Sequence, residues 1–188
     1  MKKELPVMPF LFPQPVLVIG TYNDDDTPNA MTMAWGGICD VDKVALNLTE
    51  THHSVSNIKK RKAFTLAIAD AAHVKAADFV GLVSADQDAD KMKKSGLHDV
   101  KSAAVDAPYF EEFPFTLCCT VLAEEQGVGG YRVVGKIESV LADESVLDAD
   151  GKVDAKKLSA VMFDGSHNFY FGVGEKVADA FSVGKQLL

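Results

Sequence analysis

Pro15-Val-Leu-Val-Ile-Gly-Thr-Tyr22 and Pro28-Asn-Ala-Met-Thr-Met-Ala-Trp-Gly-Gly-Ile-Cys-Asp40, joined by the polar stretch at 23–27, decide how this chain folds. The first stretch is a continuous apolar run, the pattern of a strand covered on both faces. The NDDDTPN that follows it reads as a hairpin loop, because Asn and Asp bond their own backbone in turns. The second stretch carries Asn29, Thr32, Met31, Met33 and the only tryptophan, Trp35, within seven residues. Folding alone rarely calls for that mixture. A flat aromatic ligand with a polar tail would.

Strands dominate outward from this pair. Residues 44–49 alternate, with Val44, Leu46 and Leu48 on one side, and residues 63–69 alternate through Phe64, Leu66 and Ile68. Residues 115–123 put Phe115, Leu117, Cys119, Val121 and Ala123 on one face. Residues 131–141 do the same with Tyr131, Val133, Ile137 and Leu141, and Gly135 marks a bulge or a close approach. GVGG at 127–130 is a hairpin turn between them.

Helices fill the gaps. One is expected over 52–61, capped by Thr51 with Val55 and Ile58 inward. A second is expected over 71–80, started by Asp70 and stopped near Gly81. A third is expected over 87–95, between an Asp86 cap and a Gly96 stop. DADGK at 148–152 is a turn before a short helix. The reading is a mainly β fold, a β-barrel with helical insertions, in a single domain over 1–188.

Composition narrows the functions. The chain is 47% hydrophobic and 24% charged, ordinary for a globular domain, with a net charge of -8. That charge opposes nucleic acid or an anionic membrane as partner, since both need a broad basic surface. No apolar run approaches the roughly 20 residues that span a bilayer. Prolines 6, 9, 13 and 15 break the apolar N-terminal stretch, and no small-residue cleavage site precedes the first strand, so a cytoplasmic location is expected. Cys39, Cys118 and Cys119 are too few for a disulfide framework, and the adjacent pair should point to opposite faces of a strand.

Several chemistries fail on spacing. Asp86, Asp88 and Asp90 begin a calcium loop, but Lys91 stands where it needs glycine and Leu97 where it needs glutamate. Adjacent His52 and His53 cannot face one ion from a helix, and neither HExxH nor CxxC occurs, so no metal is expected. GxxxxGK[ST] and GxSxG are absent, and the GxG in FGVGEKVA lacks its dinucleotide context.

Three segments remain: Asn29 to Trp35, Thr49 to Ile58, and Gly81 to Leu97. A helix start with hydroxyls at Thr51 and Ser54 suits a phosphate, because free N–H groups and the helix dipole favour anions there. Lys91 could add a point charge. An isoalloxazine ring needs apolar cover and hydrogen-bond donors along its polar edge, which Asn29 to Thr32 and Trp35 could supply.

On these segments, with DAPYFEEFPFTLCC and the long strand from Tyr131, the chain resembles the flavin reductase-like, FMN-binding split-barrel family, and within it the flavoredoxin type. The resemblance covers nearly the whole chain. It implies a homodimer with one noncovalent FMN per subunit near the dimer interface. Asn29, Ala30, Met31 and Thr32 would line the isoalloxazine, with Trp35 close by. Thr49, Thr51 and Ser54 would serve the ribityl chain and phosphate, and Asn57 would fix the loop. Ser84 and Lys91 would close the phosphate end, and Phe163 would bring an aromatic side chain near the flavin. Two positions depart from the pattern. Members often carry Arg or Lys just before the phosphate-binding hydroxyl, where this chain has His52 and His53, a change that either weakens the contact or ties it to pH. Members often read Ser-Gly where this chain reads Ser84-Ala85.

Two functions stay open on the sequence. One is a redox flavoprotein, passing electrons from a nicotinamide nucleotide or a redox protein to flavin, ferric chelates or another carrier, with no catalytic acid or base required. The other is a carrier or sensor that holds FMN or another cofactor on the same barrel without turnover.

Overall fold

The computed structural model describes residues 1–127 and 129–188, with Gln186 described by its backbone alone. Val128, within the expected GVGG turn, lies outside the described residues. The strands are β1 (Gln14–Pro15), β2 (Leu17–Tyr22), β3 (Pro28–Met33), β4 (Gly36–Asp40), β5 (Lys43–Leu48) and β6 (Ala63–Ile68). They continue with β7 (Asp99–Lys101), β8 (Pro108–Phe110), β9 (Phe115–Gly127), β10 (Gly130–Ala142), β11 (Val161–Asp164) and β12 (Phe169–Gly172). The α-helices are α1 (His53–Arg61), α2 (Val74–Leu82), α3 (Lys91–Ser95) and α4 (Ala155–Leu158).

Seven strands form one antiparallel sheet in the order β3-β2-β6-β9-β10-β5-β4. The sheet curls on itself. Met31 and Met33 at one end share a single buried cluster with Val44, Leu46 and Leu48 near the other, together with Ile19, Phe64, Cys119 and Val133. Its two edge strands, β3 and β4, are consecutive in the chain but not laddered to each other. The barrel is split there and closed by side chains. Helix α1 plugs it, burying Val55 and Ile58 in the same cluster. The outer face of β2, β3 and β6 is covered by a second cluster, in which Val18, Ala30 and Ala67 meet Ala77, Val80, Leu97 and Phe110. No helix among the described residues is long and apolar enough to cross a membrane.

Several expectations are corrected. Helix α1 begins at His53 with His52 as its N-cap, and no side chain caps it, so Thr51 stands one residue too early. Asp70 instead organises the turn before α2, accepting from the His73 backbone N–H at 2.7 Å. The second helix starts later than expected, at Val74, and ends at Leu82 beside the expected Gly81 stop, while the third shrinks to Lys91–Ser95 with Asp90 as its N-cap. Leu141 does not share the face of Tyr131 and Val133. The register shift after Ile137, with Glu138 as the extra residue of β10, turns it toward Ala63, Val105 and Cys118. Gly135 stands opposite another shift, whose extra residue Leu122 lies on β9, and a Cβ on Gly135 would lie 2.4 Å from the Phe64 ring, so of the two expected reasons for a glycine the close approach applies. Cys118 and Cys119 do point into different clusters. Burial pushes the Cys119 thiol up to about 12, which keeps it protonated and unreactive.

Candidate functional site

Strand β3 is the spine of the site. Alternation sends Met31 and Met33 into the barrel and leaves Thr32 on the outer side. There the Thr32 hydroxyl donates to the Ala77 carbonyl and ties α2 down against the strand. Helix and strand approach so closely that a Cβ on Gly81 would lie 3.1 Å from Thr32 Cβ. Only glycine permits that spacing without displacement. Asn29 is fully buried behind the strand. Its amide donates to Ser54 Oγ at 2.9 Å, and its Oδ1 has no partner among the described residues.

Two cavities open on either side of the Thr32–Gly81 contact. The first, of about 340 Å³, is polar. Thr51, His52, His53 and Ser54 line it from the start of α1, and Ser84, Asp86, Gln87 and Lys91 line it from the α2–α3 loop and the start of α3. Lys91 is 4% exposed and donates from Nζ to the Ala30 carbonyl at 2.6 Å. Burial lowers its pKa to about 8, against the opposing pull of Asp86. His53 Nδ1 lies 2.6 Å from Asp86 Oδ1, and its Nε2 lies 2.8 Å from Asn23 Oδ1. Burial lowers the pKa of His52. The uncapped α1 terminus, the Ser54 hydroxyl and the Lys91 ammonium therefore face one space, a combination that favours an anion.

The second cavity, of about 210 Å³, is apolar and aromatic. Met33, Ala34 and Trp35 enter it from the end of β3, Phe163 and Tyr170 from the β11–β12 hairpin, and Leu82 from α2. Tyr170 Oη donates to Asp78 Oδ1 at 2.7 Å, pinning the hairpin to α2. Burial, with that hydrogen bond, pushes the Tyr170 phenol up to about 12. The cavities share Thr32, Gly81 and Leu82.

The residues expected from the sequence distribute unevenly over this space. Met31, Thr51, Ser54, Ser84 and Lys91 line the polar cavity, Trp35 and Phe163 the aromatic one, and Thr32 both. Asn29 and Ala30 support the site from behind through Ser54 and Lys91. Asn57 is buried and donates to Thr21 Oγ1 at 3.1 Å and to Asn23 Oδ1 at 2.8 Å, so it ties α1 to the β2–β3 turn. Thr49 is exposed and lines neither cavity; its carbonyl accepts from the His52 N–H. Trp35 is 57% exposed, so it is a wall of the cavity and not barrel core. Sequence reasoning missed Asp78, Gly81 and Leu82, although a helical period would have placed them on one face of α2. It also missed Tyr170, whose strand carries no burial pattern.

Comparison with known proteins follows the same geometry. The sequence profile described as "Flavin reductase like domain" matches residues 9–166. The chain belongs to the flavin reductase-like family. Among solved structures, flavoredoxin of Desulfovibrio vulgaris (Miyazaki F) is 36% identical, with a TM-score of 0.93 over 98% of this chain and 100% of that one. Flavoredoxin from Methanosarcina acetivorans is 24% identical, with a TM-score of 0.89 over 100% of both chains. An FMN-binding domain of a flavin reductases-like enzyme from Shewanella baltica OS155 is 17% identical, with a TM-score of 0.79 over 88% of this chain and 89% of that one. No match is found among curated protein sequences. The flavoredoxin type is thus the part of the family this chain is similar to, and its role is a flavin-linked oxidoreductase one.

Proposed function

We propose that this chain is an FMN-dependent oxidoreductase of the flavoredoxin type, with the cofactor lying across both cavities. The pairing of an anion-favouring cavity with an aromatic one, joined at Thr32, carries the proposal. FMN is the cofactor, and the donor set fits its phosphate. A buried ammonium and an uncapped helix start would otherwise stand without an anion that matches their field. Bound FMN supplies the redox chemistry, accepting electrons from a donor and releasing them to an acceptor.

The protein's residues bind, orient and shield. Ser54, Thr51, Ser84 and Lys91 hold the phosphate and ribityl end. Thr32 and the β3 backbone face the polar edge of the ring. Trp35, Leu82, Phe163 and Tyr170 supply apolar cover and exclude water. Asn29, Ala30 and Asn57 keep those groups in place. The donor is a nicotinamide nucleotide or a reduced redox protein, and the acceptor a flavin, a ferric chelate or another carrier. The chain works as a homodimer, a reading favoured by exposed Phe10, Leu11, Trp35, Ile38, Phe169 and Phe171.

The test is an absorbance spectrum of the purified protein supplied with FMN, followed anaerobically by NADH and NADPH. Bleaching of the flavin band by either nucleotide is the expected result and names the donor. A bound flavin that neither nucleotide bleaches leaves a protein donor. Failure to take up FMN overturns the proposal. Light scattering on a sizing column checks the dimer.

A further inference from the structure

The hydrogen-bond geometry at the polar cavity fixes where protons lie around His53. Thr27 Oγ1 is 2.6 Å from a carboxylate oxygen of Asp25, so its hydroxyl hydrogen points there and it can only accept from Asn23. The Asn23 amide nitrogen, 2.9 Å away, is that donor. Asn23 Oδ1 therefore faces α1, where it accepts from Asn57 Nδ2 and lies 2.8 Å from His53 Nε2. On its other side, His53 Nδ1 lies 2.6 Å from the Asp86 carboxylate, whose pKa that contact lowers. Both ring nitrogens thus meet oxygen acceptors, and each bond requires a hydrogen on nitrogen.

We propose that His53 is a doubly protonated imidazolium in the ligand-free protein, and that its charge makes the polar cavity select a phosphomonoester. The selection part rests on the FMN reading above. Among the cavity's lining residues Lys91 and Asp86 cancel in charge, so the His53 proton leaves the space net positive. The other charges packed around it are spent elsewhere. Asp24 pairs with Lys60, Asp26 with Arg61, and Asp25 accepts from Thr27, while the neighbouring His52 is disfavoured as a cation by burial. Lys91 answers to Ala30. His53 is accordingly a specificity residue that separates FMN from riboflavin.

Two measurements test this. The first is ¹⁵N NMR of the His53 ring in the ligand-free protein near neutral pH. Two protonated nitrogens are expected, and the pattern of a neutral tautomer would overturn the assignment. The second is the dissociation constant for FMN and for riboflavin, near neutral pH, in wild type, His53→Gln and His53→Arg. His53→Gln should weaken FMN by roughly tenfold, as loss of a cation beside the phosphate requires, and leave riboflavin within about twofold. His53→Arg should retain FMN. Unchanged FMN binding in His53→Gln, or equal losses of both flavins, would overturn the selection role. Wild-type protein that binds neither flavin would overturn the FMN reading and selection together, while the NMR pattern still judges the imidazolium.

Discussion

The two cavities meet at one residue pair, yet they are built by opposite means. The polar cavity is held by hydrogen bonds and charges reaching across the chain, from Asn23 to His53 to Asp86 and from Lys91 to Ala30. The aromatic cavity is held by packing and by the tie of Tyr170 to Asp78. The polar half can recognise only what carries the right charge, and the aromatic half accepts any flat apolar ring. Substitutions in the first should therefore discriminate FMN from riboflavin, and substitutions in the second should not.

The largest expected effect breaks the polar half outright. Ser54→Ala with Lys91→Ala should weaken FMN by about 3 kcal/mol, near a hundredfold, since charge-assisted bonds are worth ~1.5–3 kcal/mol each. Riboflavin affinity should hardly change. Equal losses of both ligands in a fluorescence titration would dissolve the distinction.

Alkaline pH offers a second cut. Lys91 has a folded pKa of about 8 against 10.5 for the free side chain. Between those values the unfolded chain binds more protons, so this group makes the ligand-free protein more stable as pH rises. FMN needs the ammonium charged, so its affinity should fall across the same window. Melting temperatures of the ligand-free and FMN-loaded protein should converge from about pH 8 upward, and parallel curves would remove Lys91 from the phosphate site.

The aromatic half answers to smaller changes. Tyr170→Phe removes one tie and should cost about 1 kcal/mol of binding for FMN and riboflavin alike. A loss confined to FMN would mean that the hairpin serves the phosphate end. Trp35→Leu should shift either affinity least, within about 0.5 kcal/mol for so exposed a side chain, while raising the fluorescence of the bound flavin. Identical quenching in the variant would place Trp35 away from the ring.

The same division governs what the sequence disclosed. Strands β5, β6 and β9 as far as Val121 follow period-two patterns, β2 shows the unbroken apolar run of a strand covered on both faces, and the site on β3 and at Ser54 followed from residue types that a fold does not need. Leu141 escaped because a bulge reverses parity, and no pattern within β10 announces it. Strand β12 escaped because Phe169–Gly172 are exposed throughout, leaving no buried face to read. His53 was legible as a departure from the family pattern but not as a charge centre. Its partners, Asn23 and Asp86, stand 30 and 33 residues away, and only the folded turn brings all three together.

Among the described residues, strand β3 has a ladder partner in β2 and none on its other side, where the barrel is split. Lys91 occupies the Ala30 carbonyl, and α2 covers Thr32 by its side chain. Backbone groups farther along the strand are left without a partner strand, and an open edge of that kind templates pairing with other chains. A cofactor bound along β3 would act as the missing neighbour. Static light scattering on ligand-free and FMN-loaded protein at equal concentration should find clumping in the former alone. Flavin supply in the cell would then set how much of this protein stays dispersed, as well as how much of it is active.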